Sequence, residues 1–440
     1  MKPLDGADGG LEAAMLYARC DPDRFGFETT AELEDIEDAI GQARAVDAVR
    51  FGVEVGREGY NVFALGPPGT GKRTLVRRFI EERASGEPAP PDWAYVNNFE
   101  RPNRPRLLRL PANTGARLRR DMERLAEELR PALSAAFESE EYQSRRQAIE
   151  EEFREHSERA FGELRSKAGT AGLALLRTPM GWAFAPVSGG RVLNPEEVAR
   201  MPEEERRKLE SEVEVLEGEL QEVLRRMPRW ERERMGKVDE LNQEITEFAV
   251  GHLIGDLRER YSEIEGVVEH LEAVRRDIVR SVRELVGPPP GAAAGPTEPP
   301  SGTAGPQSMR RYWVNALTNG GEPEGDGSRG APVVYEDNPT YQNLIGRVEY
   351  VSQMGALVTD FNLIMPGALH RANGGYLILD ARKVLLQPYA WEGLKRALRS
   401  REIRIESLGQ ALGLVSTVSL EPEPVPLTVK VVLLGDRLLY

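Results

Sequence analysis

The sequence is poor in residues that staple or chelate. Its 440 residues hold a single cysteine, Cys20, and four histidines. One thiol cannot form an internal disulfide, which excludes a stapled secreted scaffold, and so few Cys and His leave little for a zinc site. Long apolar runs are missing too, since none approaches the ~18 residues of a membrane span. Met1 to Gly10 lacks the apolar stretch of a secretory signal. The expectation is a cytoplasmic chain with no membrane partner. Positive charge is in deficit, with 58 Lys plus Arg against 72 Asp plus Glu, a net −14. Nucleic-acid binders usually carry a basic excess, so this balance argues against such a partner, though a local basic patch stays open.

Apolar residues make up 40% and charged residues 30%, which suits a real core joined to long solvated helices. At ~150 residues per domain the length suggests about three domains. Two stretches, Gly287 to Gln307 and Asn319 to Pro332, are dense in Pro and Gly and read as linkers. They bracket Tyr312 to Leu317, a short apolar piece with strand character.

The region before the first linker reads as helix. Ile254, Leu257, Tyr261, Ile264, Val268, Leu271, Val274, Ile278, Val282 and Leu285 recur at steps of three and four. So do Leu209, Val213, Leu216, Leu220 and Val223; Val238, Leu241, Ile245 and Phe248; Leu118, Met122, Leu125 and Leu129; and Ile149, Phe153, His156, Ala160 and Leu164. An antiparallel coiled coil or an ordinary helical bundle both satisfy the spacing. Ala174–Arg177 and Trp182–Ala185 suggest short strands around a Pro-Met-Gly turn. This β tip is either a partner contact or a packed hairpin. Asn194 followed by Pro195 predicts a helix start.

The chemistry is concentrated in residues 60 to 72, YNVFALGPPGTGK. Asn61–Leu65 predicts a buried parallel strand, Gly66, Pro67, Pro68, Gly69, Thr70, Gly71 and Lys72 form GxxxxGK, and Thr74–Ile80 opens a helix. Strand, glycine-rich loop and helix in this order make a Walker A phosphate loop, in which backbone N–H groups cradle phosphates and the lysine reaches the β and γ phosphates. The residue after Lys72 departs from the motif. Ser or Thr there would bind Mg²⁺, but the residue is Arg73 and Thr74 comes one step later. Either Thr74 takes the metal or Mg²⁺ handling is weakened. Gly375–Asp380 is an apolar run ending in Asp380, the pattern of a Walker B strand. The next residue is Ala381, where ring ATPases place a catalytic Glu. Leu427–Leu434 predicts a further parallel strand, followed by Asp436 as a γ-phosphate sensor or a plain turn residue.

These motifs, with Cys20-Asp21-Pro22 to Thr30, Ile40-Gly41-Gln42 with Arg44-Ala45, Gly59-Tyr60-Asn61, Asn343–Tyr350 and Pro366–Gly375, resemble the Lon-related AAA+ proteases. The similarity is greatest to the LonB/LonC-like bacterial branch, which carries a long helical insert between Walker A and Walker B. The resemblance implies an α/β fold, an AAA+ P-loop parallel sheet interrupted by a helical coiled-coil insert with a small β tip. The expected organisation is 1–114 for the N-terminal segment and first part of the core, 115–286 for the insert, 287–332 for the linker region and 333–440 for the second part of the core. It implies ATP and Mg²⁺ as cofactors, with nucleotide contacts from Gly66 to Thr74, Gln42 beside the adenine and Asp380, and metal contacts from Thr74 and Asp380. It implies protein substrates, a homo-hexameric ring, and a pore-facing loop over Tyr350–Phe361, with Met354 or Leu357 gripping substrate or Leu357 packed in the core. A lid and a Ser–Lys peptidase are expected beyond Tyr440, so no residue of this chain is assigned to peptide hydrolysis. The leading expectation is the ATP-binding module of a Lon-like ATP-dependent serine protease. The alternatives are a nucleotide-binding scaffold or a remodelling ATPase with weak or no hydrolysis.

Overall fold

The computed structural model describes residues 20–33, 42–57, 59–178, 181–188, 191–286, 306–318, 330–353, 356–406 and 420–440. Ile40, Gly41, the Pro179–Met180 turn, Met354 and most of both linkers lie outside the described residues.

A four-stranded parallel sheet organises the phosphate-loop region. Its order is Val62–Leu65, Val429–Gly435, Gly375–Asp380 and Val333–Glu336. The two central strands are runs of β-branched and leucine residues, as strands covered on both faces require. Alternation separates the faces. Tyr376, Ile378, Val432 and Leu434 pack under helices Ala43–Glu54 and Lys72–Ser85. Leu377, Leu379 and Val431 pack on the opposite side with Leu394, Ala397 and Val384. The strand leading into the phosphate loop is not the buried strand that the sequence predicts. Val62–Leu65 pairs only with Val429–Gly435, at the sheet edge among the described residues, and Leu65 is 50% exposed.

A second, antiparallel sheet joins Asp92–Val96 to Arg106–Leu110 and to Val314–Ala316. Residues 92–110, grouped with the parallel core by sequence, thus pair with a strand that lies more than two hundred residues further along the chain. One face of this sheet, with Ala94, Val96, Leu108 and Leu110, packs on helices Gly115–Glu138 and Glu265–Arg280. The other face sends Tyr95 into the parallel-sheet core, where its hydroxyl donates to Glu423 O at 2.6 Å.

From this base projects a two-helix arm. Helix Glu140–Thr170 runs antiparallel to helix Glu203–Arg260, because Tyr142 meets Leu241 and Ile245 whereas Ala168 meets Leu216. At 1.5 Å per residue the shorter helix spans about 46 Å. Strands Leu173–Thr178, Gly181–Ser188 and Arg191–Val192 form its β tip. Trp182 stacks on Phe161 there, with ring centroids 4.8 Å apart. Asn194 caps helix Pro195–Ala199 through a capping box with Glu197.

Two details of the helical pattern need correction. The run from Ile254 to Leu285 is not one helix. The chain turns at Tyr261–Ile264 and folds back, and Val267 rather than Val268 enters the core. The Tyr261 hydroxyl donates to Asp121 at 2.7 Å, which anchors the turn. Phe248, placed by spacing on the apolar stripe, is 85% exposed, and Val250 is buried instead. A spacing of three and four fits both a continuous helix and a reversal that keeps its apolar positions inward.

Candidate functional site

The carboxyl ends of the parallel strands form one edge, the edge at which open α/β sheets bind ligands. Register aligns them: Leu65 pairs with Gly435, Leu434 with Asp380, and Leu379 with Glu336. Gly66 therefore leaves the sheet beside the strand that ends near Asp380, and its N–H donates to Gly435 O at 3.2 Å. Asp380 shares a face with Tyr376 and Ile378, the face covered by the phosphate-loop helix.

The loop Gly66–Gly71 takes a shape that suits an anion. Gly69 and Gly71 have φ of 81° and 73°, where a side chain is strained, and a Cβ on either would meet nothing within 4 Å. Gly71 occupies the cap position of helix Lys72–Ser85 with no side-chain cap, so the first N–H groups of the helix are left for a ligand. Thr70 Oγ1 donates to Pro67 O at 2.9 Å and closes the turn. The Lys72 ammonium donates to Gly66 O, arching back across the loop. Backbone donors, a lysine and a helix N-terminus converge here, and the arrangement fits a polyphosphate.

The residues expected around this loop are not all brought to one point. Thr74 is exposed on the helix, one residue past Arg73. Asp380 caps the following helix, Ala381–Leu386, its Oδ1 accepting from Lys383 N at 3.0 Å. Gln42 is exposed at the start of helix Ala43–Glu54, with no side-chain cap bond. Ala381 is buried. Asp436 Oδ1 accepts from the N–H groups of Leu438 and Leu439, at 2.9 and 3.1 Å, and so shapes the turn after its strand.

Sequence reasoning missed a cluster at the far end of this edge. The Arg73 guanidinium lies 3.8 Å from the centroid of the Tyr335 ring. The Tyr335 hydroxyl donates to Asp337 Oδ1 at 3.2 Å, and Lys383 Nζ donates to the same oxygen at 2.7 Å. The hydrogen bond from Lys383 holds the Asp337 carboxyl below its ordinary range, and burial pushes the Tyr335 phenol up. Arg371 pairs with Glu336 at 2.8 Å. No local signal marks Tyr335 as the partner of Arg73, since helix packing across the sheet brings them together. His370, in the block before Walker B, is fully buried; its Nδ1 accepts from Gly367 N at 3.2 Å, and burial lowers its pKa to about 3.

A LonB-like AAA domain model matches residues 329–440, and a Lon-like LonC helical domain model matches residues 92–125. These matches support a Lon-related AAA+ protein. A Lon protease homolog of Escherichia coli (strain K12) is 34% identical over 74 residues, which cover 17% of this chain and 12% of that relative. The chain thus spans only a small part of the curated relative it matches. The AAA match includes Asp380, Tyr335 and the Val333–Glu336 strand, whereas Gly66–Thr74 lie outside both matched ranges. The mixed α/β architecture with a parallel sheet agrees with the AAA match. Among the described residues no helix is long and apolar enough to cross a membrane.

Proposed function

We propose that this chain is the ATP-binding, substrate-handling module of a Lon-like ATP-dependent serine protease. The observation that carries the reading is the register that sets the Gly66–Lys72 loop and Asp380 at one edge of a parallel sheet. Gly69, Gly71 and the open N-terminus of helix Lys72–Ser85 would receive the phosphates, and Lys72 would swing from Gly66 O to the β and γ oxygens. Thr74 and Asp380 are the residues offered to Mg²⁺, and Gln42 to the adenine side. When bound, the nucleotide supplies a charged lever between subunits of a homo-hexameric ring. This chain's part is to bind that charge and to pass its state to the substrate-facing surface.

That surface is the hairpin Val351–Gln353 and Ala356–Val358, whose Leu357 is 74% exposed beside exposed Tyr350, Val351 and Val358. Leu357 therefore has the exposure of a grip on an unfolded polypeptide. Protein substrates, a peptidase elsewhere in the full protein and a cytoplasmic setting complete the proposal. A second reading, a nucleotide-binding scaffold, is favoured by Ala381. A buried methyl group stands where a catalytic carboxylate would polarise water, so turnover is expected to be weak. Equilibrium dialysis of labelled ATP against the chain tests the site. Lys72→Ala is expected to weaken binding by about tenfold or more, roughly 1.4 kcal/mol. Unchanged binding in Lys72→Ala would remove the loop from the account.

A further inference from the structure

The phosphate-loop helix begins with two cations in succession. Lys72 and Arg73 occupy its first turn, and no acidic residue offsets them there. A helix N-terminus already carries partial positive charge, so an arginine at this position works against the fold. Ser or Thr would carry no such penalty, and either would supply the hydroxyl that phosphate loops give to Mg²⁺.

Arg73 is nevertheless held in place. Its guanidinium stacks on Tyr335 at 3.8 Å from the ring centroid. Tyr335 pairs in register with Ile378, two residues before Asp380, and both face the phosphate-loop helix. The stacked cation thus lies on the side and near the end of the sheet where the motif would hold a metal. The carboxylates nearby are engaged elsewhere. Asp337 accepts from Lys383 and Tyr335, and Asp380 caps its own helix. At position 73 a divalent ion would meet a guanidinium charge rather than a hydroxyl.

We infer that Arg73 stands in for Mg²⁺, so that this chain takes its nucleoside triphosphate as the metal-free anion. The inference rests on the nucleotide reading above and replaces the Mg²⁺ contacts that reading gives to Thr74 and Asp380. Free triphosphate lacks the compensating charge of the divalent ion. The adjacent pair Lys72–Arg73, reinforced by the helix N-terminus, supplies that charge from the chain itself. A guanidinium is always protonated, and its planar fork of donors suits phosphate oxygens. Tyr335 holds the guanidinium in one place beside the first turn of the phosphate-loop helix.

The test titrates ATP into the full chain by equilibrium dialysis, once in excess EDTA and once in millimolar MgCl₂. The dissociation constants are expected to agree within about threefold, well under the tenfold that marks a lost contact. Arg73→Ser, which restores the hydroxyl, is expected to bind about tenfold or more weakly in EDTA than in Mg²⁺. Tyr335→Leu removes the stack but keeps the charge, and should weaken metal-free binding by about threefold to tenfold. Wild-type binding that disappears in EDTA and returns with Mg²⁺ overturns the inference and leaves the nucleotide reading standing. Absence of binding in both buffers overturns the nucleotide reading, and the inference with it. The wild-type comparison decides the matter even where a variant fails to fold.

Discussion

The parallel-sheet core and the helical arm use similar apolar residues but bury them to different depths. In the core, Leu377 and Ile378 are neighbours in one strand, and each is buried in a separate layer on opposite faces. In the arm the seam is one side chain deep. Leu164, Leu175 and Leu220 form one small cluster, and Tyr142, Leu241 and Ile245 form another. Exposed pairs such as Lys237–Glu152 at 2.6 Å and Lys167–Glu219 at 2.8 Å bridge the two helices. The difference teaches where damage travels. A void in the core displaces strands that carry the phosphate loop and Asp380, whereas a void in the arm stays between two helices.

Leu377→Ala should break the comparison hardest. Leu377 is fully buried in a strand paired on both sides, so a loss of about 3–5 kcal/mol is expected in denaturant unfolding, with nucleotide affinity falling alongside. Leu220→Ala in the arm should cost about 2 kcal/mol, because a narrow seam can close over the void. Its nucleotide affinity should equal that of the wild type. A drop in affinity there would mean that the two regions are coupled.

Acid sharpens the contrast, because both buried histidines lie at or below the base of the arm. Burial lowers His270 and His370 to about 3 from an ordinary 6.5. Between those values the unfolded chain binds more protons than the folded one. Stability is therefore complete above about pH 6.5 and is lost as pH falls toward 3, by up to about 1.4 kcal/mol per pH unit for each group. His270→Phe with His370→Asn should flatten the pH dependence of the unfolding midpoint between 6 and 4, and an unaltered slope would deny the two histidines this role. The smallest effect belongs to the arm's surface pairs: Lys237→Ala should leave the midpoint in place, since exposed ion pairs are screened.

Legibility follows the same division. Gly375–Asp380 is a strand with the limits that the sequence predicts, and the phosphate loop ends in a helix starting at Lys72. Both are local patterns, in which alternation, glycine and strand length are fixed within a dozen residues. What escaped the sequence was non-local. The pairing of Asp92–Val96 with Val314–Ala316 joins distant segments, and no period announces it. The turn at Tyr261 depends on Asp121, which lies on another helix. Tyr335 beneath Arg73 is set by how one helix crosses the sheet. Arg73 itself was visible as a departure from the motif, but its destination was not.

The most direct test of the nucleotide edge is amide hydrogen exchange on the full chain with and without saturating ATP. The amides of residues 66–76 should slow on adding ATP, while those of 142–170 in the arm keep their rates. Unchanged exchange across 66–76, with ATP present in excess, would contradict the assignment of that loop as the nucleotide site.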